Sequence, residues 1–197
     1  MAIAYPLSLP STINAGQLTF RQRNVTVASR SPFTLHEQVI AQAGQAWEVD
    51  VKLPPGMQRD VAQDWVGFLA SLRGNVGTFL LGDANATAPL GSVSGSPTFI
   101  GNEGALGGSV TMTGTLKRGD YIQLGTGSDA RLHMVLKDAS GSDSLDLWPS
   151  LRADYSSAPL IVTDTVGVFR KSDALTTYNI NEVLSYGISF SAIEALG

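Results

Sequence analysis

The sequence predicts a mainly β protein with one α-helix, and three observations carry that reading. Several short runs alternate apolar and polar residues, a single stretch changes to the helical period, and 21 glycines and 9 prolines among 197 residues supply turns for many short strands. At 43 % hydrophobic residues the chain can furnish a core for one large domain or two small ones. It contains no cysteine, which excludes disulfides, thiolate zinc sites and a cysteine nucleophile.

Taken in order, the opening "MAIAYPLSLPSTINAG" lacks a basic region followed by a long apolar one, so it reads as unprocessed. Nowhere does a run of about 18 apolar residues predict a membrane span. "GQLTFRQRNVTVA" and "FTLHEQVIAQA" each suit a strand. "AWEVDVKL" alternates cleanly, with Trp47, Val49, Val51 and Leu53 on one face and Glu48, Asp50 and Lys52 on the other. Gly44-Gln45 suits the hairpin turn between the last two strands, and "LPPG" ends the sheet because proline donates no ladder hydrogen bond.

The period then changes. In "MQRDVAQDWVGFLASLRG", Val61, Trp65, Phe68, Leu69 and Leu72 form one stripe on a helix of about 58–73. Arg73 suits its negative end and Gly74 a left-handed cap. "TFLLG" follows as a buried strand. The polar, aperiodic "NATAPLGSVSGSP", Asn85 to Pro97, reads as a linker. Beyond it, "SVTMTGT", "DYIQLG", "RLHMVLKD" and "SLDLWP" are strands separated by the turns "KRGD", "GTGSD" and "ASGSD", a spacing that suits a small barrel or sandwich. "APLIVTD", "GVFRK" and "YGISFSAIEA" close the chain, with Tyr186, Ile188 and Phe190 on one face.

Motifs that carry chemistry are weak throughout. "RGNVGTF" has glycines but follows a helix, enters a strand and lacks the lysine of a phosphate loop, so Gly74, Gly77 and Gly82 read as cap and turn residues. His36 and His133 have no neighbours at metal-ligand spacing, and "GISFS" is not a nucleophile elbow. Asp138 to Asp146, "DASGSDSLD", places oxygens at alternate positions but lacks the glycine and glutamate of a calcium loop, and reads as a solvated hairpin tip. Glu37, Glu48 and Asp50 read as polar exterior rather than a glycosidase pair, and Trp47 and Trp65 as core. No catalytic residue, cofactor or metal is expected. A formal charge of −4, from 13 Lys and Arg against 17 Asp and Glu, gives no electrostatic reason to expect phosphate-backbone binding, and no sequence-specific nucleic-acid partner is expected.

Six segments together resemble a known family: "YPLSLPS", "WEVDVKLPP" leading into the tryptophan-bearing helix, "SLRGNVGTFLLGD", "LDLWPSLR", "GVFR" and the terminal "YGISFSAIEAL". They are similar to the distal tail proteins of long-tailed bacteriophages and prophages. The resemblance spans nearly the whole chain and rests on packing and turn residues. It implies a ring-forming β domain, of β-sandwich or split-barrel type with one helix, at 1–87 and 166–197. Into it, at 88–165, would be inserted a small β-barrel of the oligonucleotide/oligosaccharide-binding kind. Asn85 to Pro97 and Thr163 to Val166 would then be the two crossings.

The same resemblance implies a homohexameric ring at the virion tail tip, made in the host bacterial cytoplasm, with a lumen for DNA. Its partners would be the tail tube protein, the tail hub or tip proteins, and a receptor-binding protein or host glycan. Trp47, Val49, Val51, Trp65, Phe68, Leu69 and Phe79 would form the ring-domain core. The alternative is a carbohydrate-binding module of a phage tail, which needs exposed aromatics; Tyr121, Trp148 and Tyr155 are its candidates.

Overall fold

The computed structural model describes residues 3–11, 16–180 and 186–196, and expectations that fall on the others lie outside the described residues. Among the described residues it is mainly β with a single α-helix. Two bodies of sheet share the chain. The first is built from β1 (Gln17–Arg30), β2 (Glu37–Lys52), β3 (Thr78–Leu81), β10 (Gly167–Lys171), β11 (Tyr178–Ile180) and β12 (Tyr186–Glu194), in the order β1-β2-β12-β10-β3 with β11 beside β12. The second is a closed six-stranded barrel of β4 (Ser92–Gly101), β5 (Gly107–Leu116), β6 (Tyr121–Leu124), β7 (Arg131–Val135), β8 (Ala139–Trp148) and β9 (Tyr155–Ile161), ordered β4-β5-β8-β7-β6-β9.

Strand alternation explains how one sheet face serves two partners. Antiparallel register sets Phe20 opposite Val49, Gln22 opposite Trp47, and Phe190 opposite Val51, so these side chains share a face. Phe79 and Phe169 join them from β3 and β10. At one end of this face lies α1 (Arg59–Ser71), whose Trp65 and Phe68 meet Phe190 and Phe79 at centroid distances of 6.5 and 5.7 Å. At the other end lies the outer wall of the barrel, contributed by Leu132 and Met134 of β7 and Tyr121 of β6. β7 is therefore covered on both faces, because Val135 turns into the barrel core with Ile122, Leu124, Phe99 and Leu147.

Several segments differ from their sequence expectation. β1 and β2 pair from Gln17↔Lys52 to Arg30↔Glu37, so the hairpin turn lies at Ser31 to His36 and not at Gly44-Gln45. There the register shifts between Asn24 and Thr26, making a bulge in which Gly44 lies under Val25, too close for a Cβ. The proposed linker is strand from Ser92 onward; Pro97 is tolerated because it falls within the register shift between Ser94 and Thr98. "ASGSD" is likewise not a turn. It forms the first half of β8, paired to β5, which removes the hairpin-tip reading of Asp138 to Asp146. Arg73 lies beyond the last helical turn in the left-handed region, φ 50°, and the helix end is closed by backbone N–H groups instead.

All barrel strands lie in sequence between β3 and β10, which pair with each other. The outgoing and returning segments run side by side: the Asp164 N–H donates to the Thr87 carbonyl, and Gly82 lies so near the Thr165 carbonyl that a Cβ would sit 1.9 Å from it. The buried Asp120 ties the outgoing segment to the β5–β6 turn by accepting the N–H groups of Leu90, Gly91 and Lys117.

Candidate assembly surface

The outer half of the β1–β2 hairpin belongs to neither core. From Arg21 to Arg30 and from Glu37 to Gly44, every residue is exposed, on both faces of the ribbon. Cross-strand partners share a face, so Val27 and Ile40 stand on one side while Ala28, Val39 and Ala41 stand on the other. A ribbon with one apolar face would be an amphipathic cover; this one has apolar side chains on both. Its turn is held by the Ser31 N–H donating to the His36 carbonyl and by the Ser31 hydroxyl accepting from Phe33 and Thr34. At the tip Phe33 is 93 % exposed, with Leu35 beside it. An isolated two-stranded hairpin is marginally stable at best in water, and the outer edge of β1 pairs with no described strand.

Where the arm meets the body, polar groups fix its angle. The Arg152 guanidinium bridges to the Glu194 carboxylate at 3.1 Å and also donates to the Gln45 carbonyl, while the Gln45 side-chain oxygen accepts the Ser150 N–H. Glu194 in turn accepts the Trp47 N–H. The Trp148 indole N–H donates to the Asn24 side chain at 2.8 Å. These links join β1, β2 and β12 to the segment after β8. Asn24, Gln45, Arg152 and Glu194 carry no local motif, so only a register that sets β2 against β12 brings them together.

The opposite sheet face carries two ion pairs. Arg21 bridges to Asp50 and Arg23 to Glu48, and the Ser191 hydroxyl donates to Asp50. That hydroxyl first, and then Arg21, hold the Asp50 carboxyl below its ordinary range.

The residues singled out as core occupy the sheet side. Trp47, Val49, Val51, Trp65, Phe68, Leu69 and Phe79 are all buried in one cluster. Gly74 adopts φ 76° just past the helix, and Gly77 lies against the Tyr5 ring, whose hydroxyl donates to the Ser71 carbonyl. The three candidate glycan aromatics do not form a platform. Trp148 is 7 % exposed, packed in a T-shaped pair with Trp47 at 4.4 Å, so little of its ring is open to a sugar. Tyr121 is half-buried between Phe20 and Trp47, and Tyr155 is half-buried against Phe99 in the barrel. Compared by sequence, the chain matches no family model and no curated protein. Among the described residues no group of three or more His, Asp or Glu is placed to hold a metal ion.

The two histidines part company. His36 is exposed at the end of the arm, whereas His133 faces into the barrel opposite Ile122. Its Nδ1 lies 2.9 Å from the Pro149 carbonyl, which makes that nitrogen the protonated donor and leaves Nε2 buried without a partner. Burial first, and the nearby Arg152 and Arg131 after it, push its pKa down to about 4. The folded value lies below the ordinary one, so the unfolded chain takes up the proton first; stability from this group is complete above about pH 6.5 and is lost as pH falls toward 4. Between pH 7.5 and 4.5 the wild type is expected to lose about 2–3 kcal/mol more unfolding free energy than His133→Gln, as read from urea titrations at the two pH values. Equal losses in both proteins would show that His133 is not held neutral.

Proposed function

We propose that this protein is a non-enzymatic virion subunit that associates with copies of itself into a ring at the distal end of a phage tail. The ring, hexameric by analogy with the family it resembles, would join the tail tube to the tip or baseplate and leave a lumen for DNA. Its neighbours there would be the tail tube protein, the hub or tip proteins and a receptor-binding protein. Within the same reading, the sheet with its helix is the ring-forming domain, of sandwich or split-barrel type. The barrel is the insert of oligonucleotide/oligosaccharide-binding kind, six-stranded where that fold has five.

The arm is the observation that carries the self-association. A ribbon exposing Val27 and Ile40 on one face and Val39 on the other needs cover on both, and cover repeated head to tail closes a ring when the rotation between copies closes. An unpaired β1 edge offers the backbone groups that a neighbouring copy would complete. The test is the solution mass by light scattering, with negative-stain images of the same fraction. The wild type is expected at about six times the 20.7 kDa chain mass, with a central hole.

Val27→Asp with Val39→Asp puts one charge on each face of the arm, far from both cores. The double variant is expected to run as a single chain with its melting temperature nearly unchanged, since exposed substitutions usually stay within about 0.5 kcal/mol. A wild type that has the mass of one chain at every concentration, equal to that of the double variant, would overturn the arm as an assembly surface.

A further inference from the structure

We propose that a pocket at the root of the arm binds a small hydroxylated anion, a sugar carrying a carboxylate or phosphate group, with Arg131 as its anchor. The pocket, about 430 Å³, lies where the two bodies of sheet meet. Ala43 of the β2 bulge, Glu103 of the β4–β5 loop, Arg131 of β7, Ser150 and Arg152 after β8, and Leu196 beyond β12 line it. Its volume falls in the range of small-molecule sites, which favour such junctions.

Arg131 is the reason for an anion. It is 9 % exposed, and its guanidinium cannot lose its charge. One nitrogen, Nη1, donates to the Ser128 and Ala130 carbonyls at 3.2 and 3.3 Å, and both acceptors are neutral. None of the described ion pairs includes Arg131; its neighbour Arg152 is taken by Glu194. The hydrogen bonds described for this side chain all run through Nη1, and Arg131 lines the pocket. A guanidinium withdrawn from water without a counter-charge is costly, and an anion that accepts two parallel N–H bonds from its fork offsets that cost.

Glu103 is the reason for hydroxyl groups. Its carboxylate lines the same pocket yet bridges to none of the cations among the described residues, and it accepts no described hydrogen bond. A carboxylate and a guanidinium that both lack an ion-pair partner and line one pocket suit a ligand with acceptors at one end and O–H donors at the other. His133 lies two residues along β7 from Arg131, on the same face, and being neutral it adds no competing charge.

This inference does not rest on ring assembly. The test is ligand-observed saturation-transfer NMR on the full chain, with glucuronate, glucose 6-phosphate and glucose as probes. At least one acidic sugar is expected to give a signal fivefold or more above glucose. Inorganic phosphate should compete against glucose 6-phosphate, and acetate against glucuronate, which identifies the anionic group that is read. Arg131→Gln is expected to lose the signal while keeping the wild-type melting curve; if that variant does not fold, Glu103→Gln, in an exposed loop, is expected to weaken it at least threefold. Equal signals from acidic and neutral sugars, no signal from any, or wild-type binding by both variants would overturn the proposal.

Discussion

Trp47→Ala is expected to lower the unfolding free energy by about 3–5 kcal/mol, the range for removing a large buried aromatic side chain. Three features put it at the upper end of that range. The ring is edge-on to Phe20 at 5.8 Å and to Trp148 at 4.4 Å, and it lies 5.9 Å from Tyr121, so one side chain fills the seam between the sheet and the barrel. Its indole N–H donates to the Leu132 carbonyl at 2.9 Å, and truncation leaves that buried acceptor bare. Collapse into the gap is resisted by two separate frameworks, each held by its own strand ladders. Trp47→Phe keeps most of the ring contacts and loses the hydrogen bond, which predicts a cost of about 1–2 kcal/mol. Urea titration measures both. A loss within 1 kcal/mol for the alanine variant would mean that the two bodies do not depend on this contact for stability.

Glu194→Ala is expected to cost about 3 kcal/mol, because removing one partner of a buried ion pair leaves the other charge uncompensated. The Glu194 side chain is 2 % exposed, and its loss strands both the Arg152 guanidinium and the Trp47 N–H. Glu194→Gln retains an acceptor for the N–H and should cost clearly less. Replacing Arg152 and Glu194 together by methionine removes both charges and is expected to recover at least half of the alanine loss. Raising salt should change the wild type little at this site, since a buried pair is weakly screened. If the double methionine variant is no more stable than Glu194→Ala, the pair matters through shape and the hydrogen bonds to Gln45, and not through charge.

Much of the local structure is legible without coordinates, for a simple reason. The alternation in "AWEVDVKL" and the stripe from Val61 to Leu72 are set by neighbours in sequence, and the two periods differ enough to separate strand from helix. The Gly44 region shows the limit of that reading. A glycine between two strand-like runs suits a turn and a bulge equally well, and the choice is made by the register with β1, which places Gly44 under Val25. "ASGSD" fails in the same way: its polar side chains and glycine are turn chemistry, yet Ala139, Ser140, Ser142 and Asp143 pair with β5, and Ala139 turns into the barrel core. Trp148 is the third case, since nothing around it in sequence says that Trp47 and Asn24 will cover it.

By itself the sequence determined that this chain is mainly β with one helix, because composition and period act over a few residues. The tertiary structure decided what those elements enclose. Closure of six strands into a barrel, the joining of Arg152 to Glu194, the pocket that Arg131 lines and the uncovered arm all depend on residues far apart in the chain. Such contacts follow from strand order and register, which relate distant segments and leave little trace in any one of them.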